Sequence, residues 1–291
     1  MNNGTGGIHA VAKNNVYEVM MKVIRILLRI FKKIYSCSIF RSSKYYDINL
    51  SVYYTVLNNI GILNYRNSNE SGEYTFLKKY FSLINTPIVF DIGANKGNYI
   101  KMVSEINKGA KIFAFEPDKT AYNKLGSIKS DNISLYNYGL SDKVGEMEFY
   151  NRKDELGSGH SSLYKEVITD IHKVGFISMV YKFSTIDNFV MENNIQKIDL
   201  LKIDTEGHEL AVLIGAKETI EAGKVSIIHF EFNEMNVISR SFFRDFILIL
   251  SEYNFYRMLP DSIVKLEPYV PVRMEIFAFQ NIVAIRKGTN L

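Results

Sequence analysis

Residues 88–97 read Ile88-Val89-Phe90-Asp91-Ile92-Gly93-Ala94-Asn95-Lys96-Gly97, and this stretch decides the fold. A mostly apolar run passes into a turn that contains two glycines, and helical spacing resumes in residues 98–103. The pattern predicts a strand, a tight loop and a helix. In such a loop, Gly93 and Gly97 let the backbone approach a ligand closely, and the exposed N–H groups favour an anion.

Asp91 adds a negative charge next to this loop, so a ligand that carries both an amine and a carboxylate suits it. The spacing Asp-x-Gly-x-x-x-Gly differs from the Gly-x-Gly-x-x-Gly fingerprint of dinucleotide-binding proteins, which the chain lacks. The loop therefore favours S-adenosylmethionine as the cofactor. An ordinary glycine turn of an α/β protein is the alternative interpretation.

Strand-like and helix-like segments alternate regularly from residue 88 onward. This order predicts an α/β fold with a Rossmann-like, doubly wound sheet, in which ligands gather at the carboxyl ends of the strands. Strands are expected at 88–91, 111–116, 133–137, 198–203, 225–232, 256–259 and 277–286, and helices near 97–107, 118–128, 207–222 and 239–253. The segments 152–182 and 260–273 fall between these elements and are expected to shape an acceptor pocket.

Composition limits the function classes. The 291 residues, 47% of them apolar, are enough for one large core and a small appendage. The net charge of +4 is modest and is concentrated in the first 45 residues, which does not indicate a nucleic-acid-binding surface. The single cysteine, Cys37, excludes an internal disulfide and a cysteine-based zinc cluster, which is consistent with a cytoplasmic protein.

Residues 1–45 are expected to form a basic amphipathic N-terminal segment, followed by one domain at 46–291. The polar residues 1–15 predict no ordered element. In the next 25 residues, basic side chains recur at helical spacing beside a wide apolar face: Lys22, Arg25, Arg29, Lys32 and Lys33. These charges recur too often for a membrane-spanning helix. Two interpretations remain: a helix that lies on the anionic inner face of a membrane, or one that packs on the domain or on a second copy in an oligomer.

Acidic residues follow the predicted strands. Glu116 ends the second strand, 25 residues after Asp91, where a carboxylate can accept hydrogen bonds from both hydroxyls of a ribose. After the third strand, Asp142 lies where it can bind the exocyclic amine of an adenine, although Ser-Asp is also a common turn sequence.

The fourth strand ends in the densest group of titratable residues, Asp204, Glu206 and His208. Two carboxylates and an imidazole opposite a cofactor loop indicate acid–base chemistry or a metal site. A helix N-terminus that favours acidic residues explains Glu206 but not Asp204. Glu231 ends the next strand and is expected to face Asp204, whereas His229 is expected to be a core histidine.

Together these motifs resemble the FkbM family of S-adenosylmethionine-dependent methyltransferases. The resemblance covers the chain from about residue 73 to its end and rests on residues 90–97, 114–117, 200–209 and 230–231, with residues 159–163 resembling the family's Ser-Ser-Leu loop. It implies a Rossmann-like methyltransferase that acts on oxygen, often on sugars or polyketide-like natural products, but it does not fix the acceptor. We expect the acceptor to be a hydroxyl of a sugar in a glycan, a lipid-linked glycan or a glycosylated natural product. The resemblance also implies that Asp91, Gly93, Asn95 and Gly97 hold the methionine part, Glu116 the ribose, and that Asp204 faces the transferred methyl group.

A sugar hydroxyl is barely ionised at neutral pH, so methyl transfer to it requires a base or a metal ion. We predict no metal, and we expect His208 or His160 to be the base, with Asp204 and Glu231 orienting it or the acceptor. Magnesium held by Asp204 and Glu231 is the alternative for the same site. The segment 204–207 lacks the Asn-Pro-Pro-Tyr type of strand end found in base-modifying amino methyltransferases. A protein of a different class, a non-catalytic subunit of a glycan-assembly complex, also fits the sequence.

Overall fold

The computed structural model describes residues 5–128, 130–155 and 157–289, with side chains from residue 17 onward. The chain divides between Leu57 and Asn58 into two units, whereas the sequence boundary at residue 45 falls at the start of the second helix. Helix α1 spans Thr5–Tyr35 and α2 spans Tyr46–Asn59. The prediction of no ordered element is wrong for residues 5–15, and residues 1–4 lie outside the described part.

The exposed faces of α1 are apolar as well as basic. Its described apolar side chains include Val23, Leu27 and Phe31, each about half exposed. Among the described helices, none combines the length and the apolar character that crossing a bilayer requires.

The second unit contains an eight-stranded mixed sheet. Its strands, in chain order, are β1 (Ile88–Ile92), β2 (Lys111–Phe115), β3 (Ile133–Tyr136), β7 (Ile198–Ile203), β8 (Val225–Phe232), β9 (Tyr253–Met258), β10 (Ile263–Lys265) and β11 (Gln280–Arg286). The order across the sheet is β10-β9-β11-β8-β7-β1-β2-β3. Five adjacent strands, β3, β2, β1, β7 and β8, run parallel to one another, and β11 lies antiparallel between β8 and β9. This is the predicted Rossmann-like α/β fold.

A small second sheet of three strands has the order β4-β6-β5, with β4 at Gly139–Leu140, β5 at Gly145–Arg152 and β6 at Phe176–Ser184. The remaining helices are α3 (Glu73–Phe76), α4 (Asn98–Ile106), α5 (Lys119–Leu125), α6 (Ile186–Glu192), α7 (Glu209–Ile214), α8 (Lys217–Glu221), α9 (Met235–Ser239), α10 (Phe243–Ile249) and α11 (Pro271–Met274).

Both faces of the main sheet are covered by hydrophobic cores, which explains why its parallel strands are apolar at most positions. Val89 packs into one hydrophobic core and its neighbour Phe90 into the other, because successive side chains point to opposite faces. Every residue of β7 is buried, as expected of a parallel strand covered on both sides.

The order of the strands in the main sheet determines where the site lies. From β1 the parallel strands run outward in two directions, through β2 to β3 and through β7 to β8. Such a reversal leaves a crevice outside the carboxyl ends of β1 and β7, and ligands of doubly wound sheets bind in this crevice.

Candidate functional site

The turn after β1 lies against the end of β7. The backbone N–H of Asp204 donates to the carbonyl of Ile92 at 3.0 Å. Gly93 has a φ of +80°, and a Cβ at this position would overlap the carbonyl oxygen of Asp204. Only glycine therefore allows the two strand ends to approach this closely.

Two clefts open from this contact. The first cleft, of about 530 Å³ including its open mouth, runs from Gly93 past Glu116 to an apolar end at Leu140, Phe149 and Phe183. Its lining also includes the segment 158–163, where Gly159 lies so close to Asn95 that a Cβ would come within 2.6 Å of Nδ2.

The second cleft, of about 1190 Å³, is lined by charged residues that include Glu73, Asp91, Lys202 and Glu231. Gly93, Asn95 and Asp204 line both clefts. A ligand in the first cleft and one in the second would therefore meet at these residues.

Glu116 lines the first cleft. Its Oε2 accepts a hydrogen bond from the Asn95 N–H at 2.9 Å, and its Oε1 accepts one from the Asp118 N–H at 2.8 Å. A carboxylate has about four acceptor positions, so each oxygen keeps one for a ligand. Burial raises the pKa of Glu116 to about 8, although the two backbone hydrogen bonds oppose the rise. Hydroxyl donors from a ribose would suit this group.

Among the buried polar atoms without a partner in the described part of the chain, three belong to residues of the clefts: Asp91 Oδ2, Asn95 Oδ1 and Ser161 Oγ. All three residues line one or both clefts. Since buried polar atoms in proteins are normally hydrogen-bonded, these atoms indicate where a polar ligand binds. Burial, and then the charges of Asp204 and Glu73, raise the pKa of Asp91 to about 7 against the opposing effect of Lys202. A ligand ammonium at Asp91 would compensate the buried charge, as predicted for the methionine part of the cofactor.

Lys202 balances the acidic groups of the second cleft. Its buried Nζ donates to Asp204 Oδ2 at 2.9 Å. Burial lowers the pKa of Lys202, but the carboxylates of Asp204 and Glu231 outweigh this effect and raise it above its usual value. Burial, and then the charge of Asp204, raise the pKa of Glu231 well above its usual range. The predicted proximity of Asp204 and Glu231 is thus present, because β7 and β8 are parallel neighbours.

His208 lies beside the first cleft with both ring nitrogens occupied. Nε2 is 2.8 Å from Ser141 Oγ, and Nδ1 is 3.1 Å from the Tyr164 hydroxyl. Burial lowers the pKa of His208 to about 4, so the ring is neutral at physiological pH. These contacts orient the ring near the apolar end of the first cleft and away from the second cleft.

His160 lies outside both clefts. Its Nδ1 is 3.2 Å from Glu206 Oε1, and about half of its side chain is exposed. The hydrogen bond to Glu206 raises the pKa of His160. The structure therefore does not bring either histidine, His160 or His208, into contact with the second cleft.

Asp142 and His229 have clear positions. Asp142 is exposed, accepts a hydrogen bond from Ser141 Oγ at 2.9 Å and lines a separate groove, so its proposed adenine contact stays a prediction. His229 is fully buried between the Tyr99 hydroxyl and Asn281 Oδ1, which confirms the predicted core histidine.

The sequence interpretation missed Lys202, Glu73 and Ser161 as site residues. Lys202 carried a signal, since a lysine within a buried apolar strand is rare unless its charge is paired. Glu73 carried none, because it lies 15 residues before β1 and reaches the second cleft only through the fold.

Comparisons with known proteins give the family that the chain matches. The family model described as "Methyltransferase FkbM domain" matches residues 91–256, more than half of the chain. The chain is similar to the 2-O-methyltransferase NoeI of Sinorhizobium fredii, with 26% identity over 52% of this chain and 65% of that protein. It is also similar to the hexuronic acid methyltransferase AglP of Haloferax volcanii, with 28% identity over 48% of this chain and 54% of that protein.

The chain thus spans between about half and two thirds of the lengths of these two relatives. Among solved structures, it is similar to the plantazolicin methyltransferase BpumL in complex with SAH, with 10% identity over 91% of this chain and 99% of that chain and a TM-score of 0.38.

Proposed function

Since the family match covers more than half of its length, the chain belongs to the FkbM methyltransferase family, and we propose that it is an S-adenosylmethionine-dependent O-methyltransferase acting on a sugar hydroxyl. The proposal rests on one observation: the two clefts meet at Asp204. The first cleft contains Glu116, a carboxylate that can bind a ribose, and the second is the larger cleft and is lined by acidic residues.

The residues of the first cleft, together with Asp91 of the second cleft, fit the cofactor. Glu116 would hold the ribose, the apolar end at Phe149 and Phe183 would hold the adenine, and Asp91 would bind the ammonium group of the methionine part. The unpartnered Asn95 Oδ1 would accept a hydrogen bond from the cofactor, and the Ser161 hydroxyl would donate or accept another. When bound, S-adenosylmethionine supplies an activated methyl group on a sulfonium centre.

Asp204 is the group best placed to take the proton from an acceptor hydroxyl. Its side chain is about one third exposed at the junction of the clefts and is oriented by Lys202 at 2.9 Å. The raised pKa of Glu231 favours its protonated form, which would donate a hydrogen bond to the acceptor. This assignment differs from the sequence hypothesis, in which His208 or His160 is the base; the two imidazoles stay alternatives, as does magnesium bound by Asp204 and Glu231.

A sugar acceptor is supported by the named relatives. One is a 2-O-methyltransferase and the other acts on a hexuronic acid, so both names are consistent with a hydroxyl of a glycan. The second cleft, at about 1190 Å³ including its open mouth, has room for at least a monosaccharide beside the cofactor. Glycan biosynthesis is therefore the proposed process.

Transfer of a labelled methyl group from S-adenosylmethionine tests the function. The full chain is incubated with nucleotide-sugars, lipid-linked glycans and free glycosides, and the products are hydrolysed to locate the label. Label on a sugar oxygen supports the proposal. Cofactor binding without transfer to any acceptor would instead favour the non-catalytic subunit of a glycan-assembly complex.

Cofactor affinity is expected to increase with pH. Between pH 3.8, the ordinary pKa of an Asp carboxyl, and about pH 7, Asp91 keeps its proton in the folded chain but loses it in the unfolded chain. The contribution of Asp91 to the stability of the fold therefore falls as the pH rises through this range. A bound ammonium favours ionised Asp91, so binding releases the proton and should tighten about tenfold between pH 6 and pH 7.5. Glu116 adds an effect of the same sign.

Calorimetric titration at several pH values measures this dependence, and buffers of different ionisation enthalpy report the released proton. In Asp91→Asn the dependence should shrink, leaving the part due to Glu116. The same steep dependence in Asp91→Asn would assign it to another group.

We further propose that α1 binds an anionic membrane at its cytoplasmic face. The helix presents exposed Val23, Leu27 and Phe31 beside its row of lysine and arginine side chains. An apolar face flanked by cations is complementary to a surface of acidic headgroups over acyl chains, which is the geometry of helices that lie in the interface. This placement would bring the chain to lipid-linked acceptors. A second copy of the chain is the competing occupant of this face.

Vesicle flotation of the full chain tests the membrane proposal. Binding to phosphatidylcholine vesicles is expected only when phosphatidylglycerol is included, and Leu27→Glu should abolish it. Leu83→Glu is the matched control, since Leu83 is an exposed leucine of the second unit. Flotation of Leu27→Glu equal to that of the control would contradict the proposal, and so would a dimer that Leu27→Glu dissociates in the absence of lipid.

A further inference from the structure

A second cluster of titratable side chains lies beside the first cleft. His160, His172 and Glu206 each offer a ligand atom, and these atoms lie within 4.8 Å of one another. The two imidazole rings have centroids 4.9 Å apart, and His160 Nδ1 is 3.2 Å from Glu206 Oε1. The methyl-transfer proposal gives no role to His172 or Glu206, and His160 enters it only as an alternative base.

Separate parts of the fold hold these residues in place. Glu206 follows β7 with a left-handed φ of +52°, and its carbonyl accepts a hydrogen bond from Ser162 Oγ at 2.8 Å. His172 closes the helical turn Val167–Ile171, whose Val167 side chain is fully buried. The cluster is therefore anchored by packed neighbours, although the His160 side chain is half exposed.

One member of the cluster has an unused ligand atom. His172 Nε2 is buried and finds no hydrogen-bond partner among the described residues. Arg152 is the nearby cation, and it forms an ion pair with Asp154 at 2.7 Å, so its charge is compensated locally.

We propose that His160, His172 and Glu206 bind a divalent transition-metal ion of the zinc class. Two imidazoles and one carboxylate form a three-ligand set that zinc accepts, with a fourth position left for water. Ligands about 2.1 Å from a tetrahedral ion lie roughly 3.4 Å apart, so a small rotation of the exposed His160 ring completes the site. One carboxylate and two neutral rings suit a divalent cation, whereas magnesium prefers a shell of oxygen ligands.

The ion would connect the segment 158–172 to the end of β7. Because Ser158, Gly159 and Ser161 line the first cleft, fixing this segment would fix one wall of the cleft. The inference concerns metal binding and does not depend on the reaction that the chain catalyses.

Zinc chloride and cobalt chloride titrations of the metal-free full chain test the site without cofactor or acceptor. Zinc is measured by competition with a chromophoric chelator, and cobalt by the visible absorption band of its tetrahedral complexes. The wild-type chain should bind one zinc ion per chain, and His172→Gln and Glu206→Gln should each weaken binding at least about 100-fold. Glu166→Gln, which changes an exposed carboxylate near His172, should bind as the wild type does.

Thermal unfolding of each metal-free variant shows whether it folds, and zinc should raise the unfolding temperature of the wild type but not of His172→Gln. If both ligand variants unfold early, His160→Gln replaces them, because its half-exposed ring contributes little to packing. Absence of zinc binding to the folded wild type, or equal binding by wild type and folded variants, would overturn the inference. Either result would leave the proposed methyl transfer unaffected.

Discussion

Glu116→Gln is expected to weaken binding of S-adenosylmethionine by about 100-fold or more. Glu116 would accept hydrogen bonds from both ribose hydroxyls, and a hydrogen bond to a charged group contributes about 1.5–3 kcal/mol. In the variant, the glutamine amide keeps one oxygen acceptor but carries an NH₂ donor in place of the other oxygen. One hydrogen bond to a ribose hydroxyl is therefore lost, together with the negative charge of the carboxylate. The carboxylate also accepts the N–H groups of Asn95 and Asp118, so the substitution should loosen the turn after β1 as well.

Isothermal titration with S-adenosylmethionine and with its demethylated product measures this effect. Glu146→Gln is the matched control, because Glu146 is an exposed carboxylate on β5. Thermal unfolding of the ligand-free variants separates lost binding from lost folding. Affinity within a few-fold of the wild type in folded Glu116→Gln and Glu116→Ala would place the cofactor elsewhere.

Asp204→Asn is expected to lower the rate of methyl transfer by about 10²–10⁴-fold while cofactor affinity changes little. A positioned general base contributes a factor of this size, and an amide of the same shape cannot take a proton. Lys202 loses its nearest anion in this variant, but Glu231 and Glu73 remain near its ammonium group. The loss should therefore appear in the rate of the chemical step rather than in folding.

Single-turnover transfer with saturating cofactor measures the chemical step. His160→Asn and His208→Asn are the comparison variants, since both imidazoles were candidates for the base. Full activity in Asp204→Asn together with inactivity in one histidine variant would return the base to that histidine. Loss of wild-type activity on exhaustive chelation, restored by magnesium, would favour a metal ion at Asp204 and Glu231.

The carboxyl ends of the strands were predictable because their sequence pattern is local. Strands β7 and β8 lie at the predicted residues, and β1 lies within one residue of its predicted end. The predicted helix at 207–222 is instead two helices, α7 and α8, interrupted near Gly215, where a Cβ would overlap the carbonyl oxygen of Ser141. That contact joins distant segments, so no local pattern announces it.

Strands β5 and β6 were not predicted from the sequence, again because the local pattern carries no signal for them. Most of their residues are exposed or half exposed, so their sequences lack the apolar alternation that marks a half-buried strand. They nevertheless carry Phe149 and Phe183 to the apolar end of the first cleft.

The sequence by itself determined the α/β class, the glycine turn after Asp91, and the positions of Glu116, Asp204 and Glu231 at the ends of their strands. Each follows from hydrophobic periodicity and from the rule that parallel strands end at one edge of a sheet. Only the tertiary structure decided the environment of each group. It formed the ion pair of Lys202 with Asp204, fixed the neutral His208 ring by its hydrogen bonds, and brought His160 and His172 close to Glu206. Burial and contacts between residues far apart in the chain set charge, tautomer and access, and these quantities arise only when the segments pack together.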